Sequence, residues 1–391
     1  MNLQEVSKIE MRNRTIERSN KASKKWKSTN RKCVFPGCSC VAINSHTMSK
    51  EANLRCIAEN GEVLNMKPLF KDGIRQLIPT PVGINEASTF RGFCKQHDEI
   101  FSKLDHGKIE SKYDLILQCF RSVARWVALE ENADIVFYEL MKDLVDTRTG
   151  RDNCITEIAE NRDMLNELKK TYNDLFVCIQ QKAGNTEMIG DNTIFPINDD
   201  LSILYKHISY QIPIALCTKN PFQLCGKSGN KVFNIIWIVV PTDGATDIIV
   251  VLDTKNINRY LKGTTIEKYW NELIKNDCTV LEMIEAAMIT NEEWYVKPSA
   301  YQKLSEVKKE TIEFDIRYKC YGSYVWDCVD YTIFDDIWRK LLKNEKNEKV
   351  IRRYKSKLDF VPQLLSEEEK QSYEKEMCQK IVHLSFKSEE L

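Results

Sequence analysis

Four side chains in the N-terminal third of the chain have the types and the spacing of a zinc site. Cys33 and Cys38 flank a Pro-Gly turn, and Cys94 and His97 lie three residues apart at the start of a predicted helix. A structural zinc ion takes four thiolate or imidazole ligands, brought together here from two chain segments. We therefore predict that these four residues bind Zn²⁺, with unrelated buried thiols as the alternative.

Cys40 is an alternative ligand to Cys38, because it follows only two residues later. The chain has 14 cysteines, and those in helix or strand patterns are expected to be small core residues. The N-terminus carries no apolar leader. No apolar run approaches the roughly 18–20 residues that cross a bilayer. We expect a cytoplasmic protein, away from membranes, whose thiols are reduced or bound to metal.

A second pair of residues could do hydrolytic chemistry. His46 ends a short predicted strand, and Asp98 directly follows His97. An imidazole can act as a general base, and a carboxylate is a ligand for Mg²⁺. The alternatives are, for His46, a structural zinc ligand or a strand-end histidine bonded to the backbone and, for Asp98, an acid favoured by the helix dipole.

The order of these features resembles the HNH, or ββα-metal, nuclease module on a zinc-stapled treble clef. That family has a first pair of zinc ligands, a strand that ends in a catalytic histidine, and a closing Asn-Leu-x-x-Leu-Cys-x-x-Cys-His pattern. Here the closing segment reads Thr89-Phe-Arg-Gly-Phe-Cys94-Lys-Gln-His97-Asp98. The resemblance covers residues 33–106. It implies that His46 activates water and that Asp98 takes the position of the family's divalent-metal ligand.

The sequence departs from the family pattern at several positions. Ser45 stands where the family often has a metal-binding Asp or His, and Thr89 stands at the position of the family's Asn. The long segment between His46 and Cys94 contains a predicted extra hairpin, residues 61–70 with 76–82. Asp105 and His106 end the helix and could add a ligand, although the helix dipole alone favours a histidine there.

The resemblance implies a metal-dependent endonuclease with structural Zn²⁺, catalytic Mg²⁺ or Mn²⁺, and a DNA or RNA substrate. Bacterial defence against phage is an expected setting for such an enzyme. The alternative is a catalytically inactive, zinc-stabilised scaffold that recognises a partner or ligand through the C-terminal α+β region.

Charge is distributed unevenly along the chain. Basic and acidic residues number 57 each, but residues 1–32 contain ten basic residues and three acidic ones, a net charge of +7. A basic arm can neutralise a phosphate backbone, and a solvated lead-in segment is the alternative. The candidate nucleic-acid contacts are Lys24, Lys25, Lys27, Arg31 and Arg91.

Helical periodicity follows the predicted zinc module. A capping box at Ser111 and Asp114 opens one helix, and further helices are predicted over residues 134–145 and 152–182. The last contains a heptad seam of about three repeats, which predicts either a helical hairpin within the chain or a homodimer.

Strand patterns dominate from residue 193. Residues 231–240 and 246–253 flank a turn signal and predict an antiparallel hairpin, and their apolar content indicates a sheet covered on both faces. We also predict helices over 265–275 and 278–289, a strand over 311–318, and a charged helix over 365–383.

Together these patterns predict an α+β protein with an N-terminal zinc-stapled treble-clef or ββα module, a helical hairpin in the middle, and a C-terminal antiparallel sheet with helices. The predicted regions are an arm, 1–32; the HNH-like module, 33–106; a helical region, 107–190; and an α+β domain, 191–391.

Overall fold

The computed structural model describes residues 31–71, 74–144, 148–226, 229–261, 265–291, 293–319, 330–366 and 368–370. Two predictions, the basic arm up to residue 30 and most of the charged helix over 365–383, lie outside the described residues.

The N-terminal region forms the small elements that carry the candidate site. In chain order they are β1 (Asn44–His46), α1 (Lys50–Leu54 and Arg55–Ile57), β2 (Glu62–Lys71), β3 (Ile74–Gly83), β4 (Thr89–Arg91) and α2 (Lys95–Asp98, Glu99–Phe101 and Ser102–His106). Strands β1 and β4 pair antiparallel, with His46 opposite Thr89. Strands β2 and β3 form the predicted extra hairpin. The result is a small ββα arrangement into which a long hairpin is inserted.

The predicted helical hairpin is present as two long helices, α3 (Lys112–Leu144) and α4 (Arg148–Gln180). The prediction of two separate helices up to residue 145 is wrong, because α3 runs through that region without a break. The capping box is confirmed: the Ser111 hydroxyl accepts from the Asp114 amide at 3.2 Å, and the Asp114 carboxylate accepts from the Ser111 amide at 3.0 Å.

The described residues of the heptad seam on α4, which are three or four positions apart, are buried within the chain. They are Leu165, Leu168, Tyr172, Leu175 and Ile179. The described part of the seam therefore packs intramolecularly in a shared core with α3. A homodimer through this helix stays a prediction.

The C-terminal half adds six strands and seven helices to the described chain. The strands are β5 (Asn192–Pro196), β6 (Leu201–Ile208), β7 (Ile214–Gly226), β8 (Gly229–Thr242), β9 (Ala245–Asp253) and β10 (Trp294–Val296). The helices are α5 (Thr254–Tyr260), α6 (Ile266–Leu273), α7 (Asp277–Ile289), α8 (Pro298–Gln302), α9 (Glu306–Lys319), α10 (Asp335–Asn344) and α11 (Glu348–Asp359).

One antiparallel sheet of eight strands unites the two halves. Its order is β3-β2-β10-β7-β8-β9-β6-β5, so the N-terminal hairpin forms one end of a sheet otherwise built from C-terminal strands. The predicted β8–β9 hairpin is confirmed, and Gly244 supplies the positive φ of +73° in its turn.

Both faces of this sheet are covered, as the apolar strands predicted. Trp237 and Val239 enter the core formed with α5 to α11, whereas Ile236 and Ile238 enter the core formed with α3, α4 and the N-terminal module. Side chains alternate between the faces of a strand, so a central strand covered on both sides needs apolar residues at every position. The α+β class is thus confirmed, with a large antiparallel sheet.

The predicted strand over residues 311–318 is wrong, because this segment belongs to α9. Ile312 and Ile316 are fully buried and lie one helical turn apart. Apolar residues at positions 312, 314 and 316 also satisfy the period of a strand, which explains the error. The predicted helices over 265–275 and 278–289 are present as α6 and α7.

Candidate metal centre and the adjacent histidine site

The first two candidate zinc ligands lie on a tight knuckle. The Cys33 amide donates to the Cys40 carbonyl at 2.7 Å, and the Cys38 amide donates to the Phe35 carbonyl at 3.0 Å. Gly37 takes φ +80°, a conformation that glycine adopts without a steric penalty. This turn brings the Cys33 and Cys38 side chains to the same side of the chain.

The second pair of ligands begins helix α2. Cys94 is the N-cap residue, and its carbonyl accepts from the Asp98 amide at 2.8 Å. His97 lies in the first turn, so its ring reaches the same side as Cys94. The Val34 amide donates to the Gly92 carbonyl at 2.8 Å, which holds the knuckle against the segment that enters α2.

These four side chains form one compact group. The ligand atoms of Cys33, Cys38, Cys94 and His97 all lie within 4.8 Å of one another, and Cys40 is not a member. His97 Nδ1 is 3.4 Å from the sulfur atoms of both Cys33 and Cys94, and the Cys38 and Cys94 sulfur atoms are 3.9 Å apart.

The distances agree with those of a tetrahedral metal site. With Zn–S bonds of about 2.3 Å and Zn–N bonds of about 2.0 Å, tetrahedral geometry places two sulfur atoms about 3.8 Å apart and sulfur and nitrogen about 3.5 Å apart. The Cys₃His group could therefore hold a metal ion such as zinc. Burial raises the pKa of Cys33 to about 12, so metal binding would have to displace its proton.

Two aromatic side chains support this cluster. The Phe35 ring stacks on the His97 ring, with centroids 3.8 Å apart and planes 8° from parallel. The buried Tyr172 hydroxyl of α4 donates to the Val34 carbonyl at 3.0 Å. Helix α4 thus fixes the knuckle from outside the predicted module. The heptad pattern predicted that Tyr172 is buried, but it gave no signal of this contact.

His46 lies at the end of β1. Its Nδ1 is 3.0 Å from the Ala87 carbonyl. A carbonyl oxygen can only accept, so Nδ1 carries the proton, and no described residue forms a hydrogen bond with Nε2. Burial lowers the pKa of His46, which favours the neutral ring. The lone pair on Nε2 is therefore available to accept a proton or bind a ligand.

Asp98 lies close enough to His46 for their charges to interact. Burial raises the pKa of Asp98, and a hydrogen bond from the Ser45 hydroxyl opposes this shift. The Ser45 oxygen also accepts from the Phe93 amide at 3.2 Å. Ser45 stands where the resembled family often has a metal ligand, and here it is a neutral neighbour that favours the charged form of Asp98.

Two further charged residues act on this group: Asp105, which the sequence offered as a possible further ligand, and Arg121, for which the sequence gave no signal. Asp105 and Arg121 both act on the pKa values of His46 and Asp98. Arg121 Nη1 donates to Asp105 Oδ1 at 2.7 Å. Arg121 lies on α3, outside the segment that the resemblance covers, so only the three-dimensional structure brings it to the site.

The predicted nucleic-acid contacts are only partly described. Lys24, Lys25 and Lys27 lie outside the described residues. Arg31 pairs with Glu131 at 2.7 Å, and Arg91 donates to the Ala42 carbonyl at 3.4 Å. Both described arginines are thus used within the chain, and their contact with a nucleic acid stays a prediction.

A separate cleft of about 280 Å³ opens between α4 and the sheet, at the end of β9. Apolar residues such as Leu168 and Ile236 contribute to its lining. Lys170 and Asp200 at this cleft pair at 2.8 Å. Lys219, which also lines it, donates to Glu130 at 2.7 Å.

No helix among the described residues combines the length and the apolar character that crossing a membrane requires. Comparison of the chain with protein-family models, with curated proteins and with solved structures finds no match.

Proposed function

We propose that this protein is a metal-dependent phosphodiesterase that cleaves nucleic acid, with His46 as the general base and Asp98 as a ligand for Mg²⁺ or Mn²⁺. The observation that supports this most is the placement of His46. It ends β1 of a small ββα arrangement, its proton is fixed on Nδ1, and the charge of Asp98, on the helix that carries His97, opposes the lowering of its pKa by burial.

The chain's own residues prepare each part of this chemistry. The Ala87 carbonyl fixes the histidine tautomer, so Nε2 is the atom that would remove a proton from water. The Ser45 hydroxyl lowers the pKa of Asp98 and so favours the carboxylate form that would bind a cation. A divalent cation, when bound, would stabilise the negative charge that develops on the phosphodiester. The Cys₃His cluster includes His97, the residue before Asp98, so a metal bound there would anchor the helix that carries Asp98.

The test is cleavage by the full-length, zinc-loaded protein. We expect Mg²⁺- or Mn²⁺-dependent cleavage of at least one of single-stranded DNA, double-stranded DNA, single-stranded RNA and double-stranded RNA. His46→Ala should reduce the rate by at least about a hundredfold, because general-base catalysis contributes about 10²–10⁴. Zinc content should not change, since His46 is not a member of the cluster.

Asn44→Ala is the matched control, because Asn44 is exposed on the same short strand. Absence of cleavage of all four substrates with either cation would overturn the proposal. So would a His46→Ala protein that cleaves as fast as the Asn44→Ala protein.

The cleft beside α4 favours a second candidate function, binding of a ligand by a zinc-stabilised scaffold. Its volume of about 280 Å³ is near the lower end of small-molecule pockets, about 300 Å³. The cleft does not include His46 or Asp98. If ligand binding is the function, blocking the cleft with Thr171→Trp, at a half-buried residue of its lining, would abolish activity in the cell and His46→Ala would not.

A further inference from the structure

We propose that the hairpin of helices α10 and α11 is a binding surface for the phosphate backbone of nucleic acid. This inference goes beyond the proposed function, because it concerns binding at a different surface from the His46 site. The two helices pack on the core that contains Trp237, whereas the N-terminal module packs on the core that contains Ile236. The hairpin and the module therefore lie on opposite faces of the eight-stranded sheet.

The hairpin concentrates positive charge in a chain whose formal net charge is zero. Residues 339–357 contain nine basic residues and two acidic ones, a net charge of +7. Arg339, Arg353 and Lys357 pair with described acids. The other six basic side chains are exposed and form no ion pair with a described carboxylate. We call these six residues the basic face: Lys340, Lys343, Lys346, Lys349, Arg352 and Lys355.

Exposed lysines elsewhere on the described surface include several with acidic partners. Lys170 and Lys255 pair with Asp200 at 2.8 and 2.5 Å, and Lys275 pairs with Glu272 at 2.5 Å. Mixed charge of this kind is typical of protein surfaces, because neighbouring like charges on a helix repel each other. The basic face lacks such compensation from the described acids, so a polyanion bound to it would relieve the repulsion.

The acidic residues of the hairpin do not interrupt the basic face. All five lie at or beside a helix end: Asp335, Asp336, Glu345, Glu348 and Asp359. The Glu345 carboxylate accepts from the amides of Lys346 and Asn347, both at 2.8 Å, and is thus used to shape the turn between the helices. Every charged residue within 337–344 and within 349–358 is basic.

The core holds the hairpin so that the basic face points to solvent. Trp338 of α10 and Tyr354 of α11 are buried, with ring centroids 4.8 Å apart. Glu282 of α7 accepts from the Tyr354 hydroxyl at 2.8 Å and from Arg353 Nη2 at 3.0 Å. Lys357 also pairs with Glu282. These contacts fix the inner side of the hairpin, so the basic face belongs to a supported surface.

The composition and spacing of the basic face suit a phosphate backbone. Lys349, Arg352 and Lys355 follow one another at about 4.5 Å along the axis of α11. One strand of duplex DNA advances about 3.4 Å per phosphate, a difference that long side chains can span. Interfaces between proteins are depleted of lysine and centred on apolar anchors, whereas five of the six residues here are lysines.

An anionic membrane is the competing partner for a basic surface. Phe360 and Val361, which directly follow α11, are exposed and could add apolar contacts to lipid. Helices that lie on membranes, however, insert an apolar face into the lipid. The apolar side chains of this hairpin, such as Leu341, Leu342 and Val350, pack on the protein core instead. Charge complementarity therefore favours nucleic acid, and vesicles become one arm of the test.

The experiment measures binding of full-length, zinc-loaded protein to a fluorescein-labelled DNA duplex and to labelled single-stranded RNA, by fluorescence anisotropy. Every sample carries His46→Ala, so that cleavage does not interfere. The test variant neutralises three residues of the basic face: Lys349→Gln, Arg352→Gln and Lys355→Gln. The matched control removes the same charge from exposed lysines outside the hairpin: Lys67→Gln, Lys108→Gln and Lys182→Gln. Circular dichroism and zinc content check that both proteins keep their fold.

We expect the test variant to bind both nucleic acids at least about tenfold more weakly at about 0.1 M salt, because three phosphate contacts are lost. On duplex DNA, the slope of log affinity against log salt concentration should decrease in magnitude by about 2–3, since each neutralised phosphate contributes about 0.9. The control should change affinity by less than about twofold. Equal affinities of the test and control variants, or no binding of either nucleic acid, would overturn the inference.

Vesicles of phosphatidylserine and phosphatidylcholine form the third arm, measured by sedimentation. We expect no sedimentation that depends on the basic face. Sedimentation that the test variant loses while its nucleic-acid binding is unchanged would replace nucleic acid by a membrane as the partner.

The outcome for the basic face is independent of the outcome for the proposed nuclease. If the test variant loses binding but the protein with an intact His46 cuts no substrate, this surface stands and the proposed function fails. If the protein cuts nucleic acid but the test variant binds it normally, the proposed function stands and this surface is wrong.

Discussion

The hydrogen bond from Tyr172 to the Cys33–Cys38 knuckle predicts how strongly this helix supports metal binding. Tyr172 is 6% exposed, and its hydroxyl is the group from α4 that satisfies the Val34 carbonyl. In Tyr172→Phe the ring remains and the bond is lost. A buried polar group that loses its partner costs about 1–3 kcal/mol.

The lost hydrogen bond lowers the affinity for Zn²⁺ only to the extent that it destabilises the metal-binding conformation of the knuckle. If the lost bond destabilises the docked knuckle by about 1–2 kcal/mol, Zn²⁺ binding should weaken by about 5- to 30-fold, since 1.4 kcal/mol corresponds to a factor of ten. The measurement is competition for Zn²⁺ against a coloured chelator of known affinity, at fixed pH.

Tyr205→Phe is the matched control for this prediction. Tyr205 is similarly buried, and its hydroxyl donates to Asp247 at 2.7 Å, away from the zinc cluster. It should lower the free energy of unfolding without changing Zn²⁺ affinity. If Tyr172→Phe binds Zn²⁺ as tightly as Tyr205→Phe does, α4 has no role in positioning the ligands.

Two further predictions concern pH. Burial lowers the pKa of His46 below 6.5, and a general base must be neutral to accept a proton. The cleavage rate should therefore fall as the pH drops through this lowered pKa, and it should be constant above about pH 7. A cleavage rate that keeps rising above pH 7 would contradict the assignment of His46 as the base. Burial raises the pKa of Glu285 to about 7, although two backbone amides and Trp338 Nε1 donate to its carboxylate. The folded state then holds a proton that the unfolded state has released between about pH 4.5 and 7, so the free energy of unfolding should decrease across this window by up to about 3 kcal/mol. Glu285→Gln has no proton to release, so urea unfolding at pH 5 and pH 8 should show a smaller decrease than in the wild type, and an equal decrease would refute the assignment.

The Cys₃His cluster could be predicted from the sequence because the chemistry of a zinc site leaves a local signature. Cysteine and histidine are the residues that zinc prefers, and each ligand pair lies within a few positions along the chain. The Cys33–Cys38 gap and the Cys94–His97 spacing were therefore sufficient to identify four side chains that the fold brings together. The strand that ends at His46 could be predicted because a strand pattern is also local along the chain.

The surroundings of His46 could not be predicted, because they depend on contacts between distant segments. Arg121 looks in the sequence like one more polar residue of a long helix, and nothing in the spacing shows that it meets Asp105. The same limit applies to residues 311–318, where a short apolar pattern fits both a strand and a helix and only burial decides between them.

The position of β10 in the sheet has a consequence for the order in which the protein is made. Tyr295 pairs with Asn65, and Trp294 pairs with Leu216, so β10 joins the early hairpin to the later strands. A ribosome must therefore add more than two hundred residues after the hairpin before this partner emerges. Until then β2 has an unpaired edge, which is a site for wrong association in nascent or truncated chains. Expression of residues 33–106 alone should for this reason give aggregated material, and chaperone binding to nascent chains should end only after β10 has left the exit tunnel.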